Sequence, residues 1–252
     1  MLIGPQNSAV ADGFSARLRA VRARIAAAAR AAGRTEDSVT LLAVSKGHGP
    51  DAVRALARSG VEHFGENYLQ EALPKLDALA GLELCWHFIG QLQANKTRAV
   101  AERFAWVHAV DRMRTAERLS AQRPPLAPPL NVCIQVKLAP DDTKGGASAA
   151  EARALVGALV KLPRLRLRGL MCMLPEGLDA AAQRLRFGEV RDLYEQLRRE
   201  GAGLDTLSMG MSGDFEAAIA AGSTLVRIGT AVFGARDTPH GHSHGAPSNG
   251  HA

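Results

Sequence analysis

Thr40-Leu-Leu-Ala-Val-Ser-Lys46, an amphipathic stretch over 51–59 and His63-Phe-Gly-Glu-Asn67 form the passage on which the fold turns. A short apolar, β-branched run is followed by residues with helical spacing and then by a second short run, the signature of βα units and a parallel sheet. The rhythm continues outward. Further strands are predicted at Cys85–Gly90, Trp106–Val110, Asn131–Leu138, Arg168–Met173, Thr206–Gly210 and Leu225–Gly229. Helices are predicted between them at about 68–79, 93–102, 112–121, 148–161 and 182–200, and another at 213–221 precedes the last strand. Upstream, Phe14, Leu18, Val21, Ile25 and Ala28 recur every three or four residues, with arginines opposite, and predict an opening helix.

Eight strands alternating with helices in about 230 residues are the count for an α/β fold of one kind, a single (β/α)8 TIM barrel. An open doubly wound sheet is the rival, but it carries a glycine-rich dinucleotide fingerprint after its first strand, and Ser45-Lys46-Gly47-His48-Gly49-Pro50 does not match. The Pro-rich piece Arg123–Pro129 is too short for a domain linker. We expect one domain over 1–236 and a disordered tail over 237–252, which has no apolar residues to fix it. His240, His242 and His244 in that tail have no carboxylate or supporting shell beside them, so a solvated tail is the simpler reading and no metal site is expected.

Composition narrows the function classes. The chain has 252 residues, 46% hydrophobic and 22% charged, which is globular and long enough for a sizeable core. No apolar run reaches the ~20 residues of a membrane span, and Met1 to Asp12 lacks a signal pattern, so membrane insertion and secretion are disfavoured. Cys85, Cys133 and Cys172 are dispersed in apolar stretches with no CxxC pair, which fits a reducing cytoplasm. The net charge is +6, yet 31 basic residues are interleaved with 25 acidic ones, so no nucleic-acid partner is expected.

Barrel enzymes and binding proteins place their chemistry at the C-terminal strand ends. Lys46 closes the first strand, where it is either a solvated terminus or a partly desolvated amine able to react with an aldehyde. After the seventh strand comes Ser208-Met-Gly-Met-Ser212-Gly-Asp214, and after the eighth Arg227-Ile-Gly229-Thr230-Ala231. Hydroxyls, small residues and exposed amides at these two junctions make a phosphate cradle, the usual place for one in this fold. Ser212 is equally suited to cap the next helix.

Leu41-Leu-Ala-Val-Ser-Lys46, Phe64-Gly-Glu-Asn67, Trp86-His-Phe-Ile-Gly90-Gln-Leu-Gln-Ala-Asn-Lys96, Leu167-Arg-Gly-Leu-Met171, Leu207-Ser-Met-Gly-Met-Ser212 and Val226-Arg-Ile-Gly-Thr230-Ala-Val-Phe-Gly234 together resemble the pyridoxal phosphate homeostasis proteins of the YggS/PROSC type. The resemblance runs from about residue 15 to Arg236. It implies a barrel like the N-terminal domain of alanine racemase that holds pyridoxal 5′-phosphate, the vitamin B6 cofactor, as an aldimine on Lys46. It further implies Ser212, Gly229 and Thr230 at the phosphate, Arg227 at the pyridine nitrogen, and Asn67 and His87 lining the pocket. Asn67 as a helix cap and His87 as a core histidine are the structural alternatives. Two features depart from the family pattern at the pocket rim. The Lys46-Gly-His-Gly-Pro50 loop is one residue longer, and Lys137 stands where an asparagine is usual.

An arginine at the ring nitrogen cannot accept a proton, which weakens the electron sink and disfavours transamination. Alanine racemases use a tyrosine from a second domain as the opposite base; this chain stops soon after its eighth strand, and both its tyrosines, Tyr68 and Tyr194, fall in predicted helices. The expectation is therefore a monomeric, non-catalytic cytoplasmic protein that holds and buffers pyridoxal phosphate and hands it to apoenzymes. A small amino-acid racemase is the alternative, and a lysine-dependent aldolase is a third reading on fold logic alone.

Overall fold

The computed structural model describes residues 5–138 and 145–235, with side chains from Gly13 onward. The proposed tail over 237–252 lies outside the described residues. Helix α1 (Pro5–Ala31) precedes eight strands: β1 (Thr40–Val44), β2 (His63–Glu66), β3 (Cys85–Phe88), β4 (Trp106–Val110), β5 (Leu130–Gln135), β6 (Leu165–Met171), β7 (Thr206–Ser208) and β8 (Leu225–Ile228). All pair in parallel and close in sequence order, with β8 hydrogen-bonded back to β1. Between them lie α2 (Pro50–Arg58), α3 (Leu69–Ala78), α4 (Thr97–Arg103), α5 (Met113–Gln122), α6 (Ala149–Leu159), α7 (Ala180–Arg199) and α8 (Phe215–Ala220). The (β/α)8 expectation holds.

The differences from the sequence reading are local. The fourth helix opens with a 3-10 turn at Ala94–Lys96, and β6 begins at Leu165 rather than Arg168. A short α9 (Thr230–Phe233), not anticipated, follows β8 directly. On α1 the buried stripe is Phe14, Leu18, Val21, Ile25 and Ala29, so Ala29 rather than Ala28 completes it.

Alternation sorts the strand residues. Outward-facing Phe64, Val107, Val132, Leu170 and Val226 join the large cluster beneath the helices, where a fully buried aliphatic or aromatic side chain contributes ~1.5–3 kcal/mol. Two smaller clusters fill the barrel interior: Leu42, Val44, Ile89 and Leu225, and Trp106, Ala109, Cys133 and Met171. Helix α1 packs on α8 and α9. Arg17 donates from Nε to the Val232 carbonyl at 3.0 Å, and the Phe14 and Phe233 rings meet edge to face at 6.2 Å. This contact seats α9, and with it Thr230, at the C-terminal rim of the barrel.

Candidate functional site

β7, β8, β1 and β2 are consecutive around the barrel, and their C-terminal ends carry six of the seven residues singled out above. Lys46 lies in the turn after β1, half-buried. Asn67 directly follows β2. Ser212 lies in the turn between β7 and α8, Arg227 is in β8, and Gly229 and Thr230 open α9. Two glycines make the arc compact. A Cβ on Gly90 would stand 2.0 Å from the Asn67 carbonyl oxygen, so only glycine lets these two strand ends approach. Gly210 has φ +97°, and a Cβ there would stand 2.7 Å from that of Ala218. Its carbonyl accepts from the Arg227 backbone N–H at 2.9 Å, tying the two junctions together.

Arg227 is a buried cation, 4% exposed. Nη1 donates to the Ser208 carbonyl at 2.7 Å and to Ser208 Oγ at 2.9 Å, and Nη2 donates to the Cys172 carbonyl at 2.8 Å. Those three bonds leave two of the five guanidinium N–H groups over, and no carboxylate forms an ion pair with it among the described residues. Burial pulls the Arg227 pKa down from the usual arginine value, but a guanidinium remains a donor only.

The hydroxyls of Ser212 and Thr230 bond to no other protein group among the described residues. Neither is a helix cap: α8 begins at Phe215 after Asp214, whose carboxylate accepts from the Met211 N–H, and α9 begins at Thr230. Both helices are short, so the anion-binding capacity here lies in hydroxyls and loop amides rather than in a helix dipole. Asn67 is not a cap either. Tyr68 occupies that position, and Asn67 Oδ1 is buried with no hydrogen-bond partner among the described residues. A buried amide oxygen without a donor costs ~1–3 kcal/mol, which marks it as an acceptor for something bound. Tyr68, predicted to lie in the helix, precedes it and is 57% exposed at this same rim.

Beneath Lys46 the chain is pinned by a buried ion pair that the sequence reading missed. Lys75 on α3 bonds to the Glu66 carboxylate and donates to the Ser45 carbonyl at 2.8 Å. Ser45 Oγ donates to Glu66 Oε1 at 2.6 Å. Desolvation of Glu66 outweighs the attraction of Lys75 and raises its pKa. The loop above is held by the Gly47 N–H, which donates to Glu71 at 3.0 Å, and by His48 stacked on Phe233 at 4.6 Å. Contacts to α3 and α9 thus hold the loop that follows Lys46.

His87 stands apart from this arc, in the barrel interior on β3. Its Nδ1 meets His108 Nε2 at 2.9 Å, and its Nε2 meets His63 Nδ1 at 3.0 Å. His108 Nδ1 meets Ser208 Oγ at 2.9 Å. A chain of hydrogen bonds therefore runs from Arg227 through Ser208, His108 and His87 to His63, which lines a cavity of about 540 Å³ among the strand starts at the opposite mouth. Burial holds both interior imidazoles neutral: His108 falls to about 3, and His87 is lowered well below the usual value.

The alanine racemase N-terminal domain model matches residues 16–237. A pyridoxal phosphate homeostasis protein of Pseudomonas aeruginosa is 53% identical over 229 residues, covering 91% of this chain and 96% of that protein. Among solved structures, PipY of Synechococcus elongatus with pyridoxal phosphate bound is 39% identical with a TM-score of 0.78, covering 88% of this chain and all of that one. Alanine racemase of Streptomyces coelicolor shares the fold at 22% identity and TM-score 0.70, over 89% of this chain and 58% of that protein.

Proposed function

We propose that this chain, which belongs to the pyridoxal phosphate homeostasis protein family within the alanine racemase N-terminal domain superfamily, binds pyridoxal 5′-phosphate covalently through Lys46 and serves to hold and buffer it. The observation that carries this reading is Arg227: a buried cation with no ion-pair partner among the described residues and N–H groups to spare, beside the strand ends that present Lys46, Ser212 and Thr230. When bound, the cofactor supplies an aldehyde for an amine and a pyridine ring that draws electrons from the attached group. Lys46 would supply the amine that holds the cofactor. Ser212 and Thr230 would hold the phosphate together with nearby amides, and Asn67 Oδ1 would offer its buried acceptor to the bound group. Arg227 would donate to the ring nitrogen and keep it unprotonated, which suits storage rather than carbanion chemistry.

The residues fit the group as donors and acceptors of the right kind at one barrel mouth. Among the described residues no helix is long and apolar enough to cross a membrane. A monomer in the cytoplasm that passes the cofactor to apoenzymes completes the proposal. The test is the visible spectrum before and after borohydride, with peptide mapping. Lys46→Ala is expected to lose both the visible band and the reduced adduct while staying folded, since a half-buried residue in a turn contributes little to the core. An adduct mapped to Lys137 or Lys144 overturns the assignment.

A further inference from the structure

His63 and Cys85 are register partners at the starts of β2 and β3, and His87 lies two residues beyond Cys85 on the same face of its strand. Their ligand atoms converge: His63 Nδ1 and Cys85 Sγ lie 3.0 Å and 3.4 Å from His87 Nε2, and all three atoms fall within 4.8 Å of one another. We propose that His63, Cys85 and His87 form a three-ligand site for a divalent cation of the Zn2+ class at the N-terminal mouth of the barrel, with its fourth position open to the cavity there.

The chemistry and the spacing both favour this cation. Two imidazoles and a thiolate are borderline-soft donors that suit zinc and exclude magnesium or calcium. A tetrahedral ion with bonds of ~2.0–2.1 Å to nitrogen and ~2.3 Å to sulfur separates its ligand atoms by ~3.3–3.6 Å. The observed 3.0 Å and 3.4 Å spacings reach those values with shifts of a few tenths of an ångström. Three protein ligands with an open fourth position is the arrangement of a zinc site that binds a further molecule.

The surroundings supply what such a site needs. The His87 ring is stacked on Trp106 at 5.1 Å and held at Nδ1 by His108, which fixes its orientation as a second layer does in metal sites. The nearby cation Arg168 is engaged by Asp205 at 2.8 Å and lies over Trp106. Arg227 donates to Ser208 Oγ, which meets His108 Nδ1 at 2.9 Å. His108 Nε2 meets His87 Nδ1 at 2.9 Å, and His87 Nε2 meets His63 Nδ1 at 3.0 Å. On metal binding Cys85 would release its thiol proton to solvent, and His63 Nδ1 and His87 Nε2 would carry no proton, so the remaining His87 N–H lies at Nδ1, toward His108.

Cobalt(II), added at one equivalent to the metal-stripped full chain, is the probe, read as a difference spectrum against the metal-free protein. We expect a thiolate-to-cobalt charge-transfer band with intense tetrahedral d–d bands, both displaced by Zn2+. Cys85→Ser and Cys85→Ala are expected to abolish the charge-transfer band, His63→Gln to weaken binding at least tenfold, and Cys133→Ser to leave it intact. The histidines beyond Asp237 bear no thiolate and cannot produce that band. Its absence from the wild type overturns the proposal, as does its persistence in either Cys85 variant. Circular dichroism checks that each variant is folded, and should both Cys85 variants unfold, a band that survives in Cys133→Ser with Cys172→Ser assigns the thiolate to Cys85 and its loss there overturns the proposal.

Discussion

At Ser212 and Thr230 the proposed phosphate site turns on two hydroxyls that have no protein partner among the described residues. A charge-assisted hydrogen bond contributes ~1.5–3 kcal/mol, so Ser212→Ala with Thr230→Ala is expected to weaken pyridoxal phosphate binding by two or more orders of magnitude. Binding of unphosphorylated pyridoxal, measured in the same titration, should barely change; equal losses for both ligands would place the phosphate elsewhere. The same scale separates the partners of the buried ion pair. With Lys75 gone, the Glu66 carboxyl can take a proton, a state that burial already favours. With Glu66 neutralised by Glu66→Gln, Lys75 remains 5% exposed with its charge unmatched. Glu66→Gln is therefore expected to cost ~3–5 kcal/mol in urea unfolding, and Lys75→Met less. Adding Lys75→Met to Glu66→Gln should recover part of the loss, and a purely additive double variant would show that the two side chains do not act as a pair.

At the scale of elements, the junction between β7 and α8 depends on Gly210. A Cβ there meets both a positive φ and two close neighbours, Ala218 Cβ at 2.7 Å and Phe215 Cα at 2.9 Å. Gly210→Ala is expected to cost ~2–5 kcal/mol by adding overpacking to backbone strain. Gly177→Ala shares the positive φ but meets nothing within 4 Å, so it should cost only ~1–2 kcal/mol. Equal melting shifts for the two variants would remove the packing part of the argument. What the sequence makes legible follows from such local rules. Short apolar, β-branched runs placed every strand and a 3.6-residue period placed eight helices, because buried strands and a buried helix face each leave a trace in the sequence. Short α9 leaves none: four residues cannot show a helical period, and it is held by Arg17 and Phe14 from the other end of the chain. The junctions after β7 and β8 were readable as small, hydroxyl-bearing stretches at strand ends. The Glu66–Lys75 pair and the His63, Cys85, His87 cluster were not, because each requires knowing which side chains two elements turn toward one another. Cys85 and His87 are visibly alternate residues of one strand, but only the register of β2 against β3 sets His63 beside Cys85.

In the whole molecule the two mouths of the barrel are joined by its polar interior, and on the proposed reading the Arg227 end of that interior sets whether a bound cofactor is stored or used. Arg227 is held by the Ser208 and Cys172 carbonyls, so it is fixed as a donor and has no route to becoming an acceptor. A proton abstracted from a bound amino acid would also need a base on the opposite face. The sequence has two tyrosines: Tyr194 is buried on α7, and Tyr68 is 57% exposed with no side-chain hydrogen bond among the described residues to orient it. We therefore expect α-proton exchange of L- and D-alanine in deuterated water, followed by NMR with the cofactor-loaded protein, to run well below ~1 s⁻¹ and without inversion. Arg227→Glu places a group at the ring nitrogen that can share a proton with it, and exchange should speed up where the variant stays folded. Its cost is the loss of donors to two buried carbonyls, so folding is checked by circular dichroism before rates are compared. Inversion by the wild type at ~1 s⁻¹ or faster would mean that Tyr68, or another group at the rim, is held well enough to act as the second base, and the racemase reading would replace storage. Tyr68→Phe would then identify which, because an exposed tyrosine that does no proton transfer can lose its hydroxyl without a change in rate.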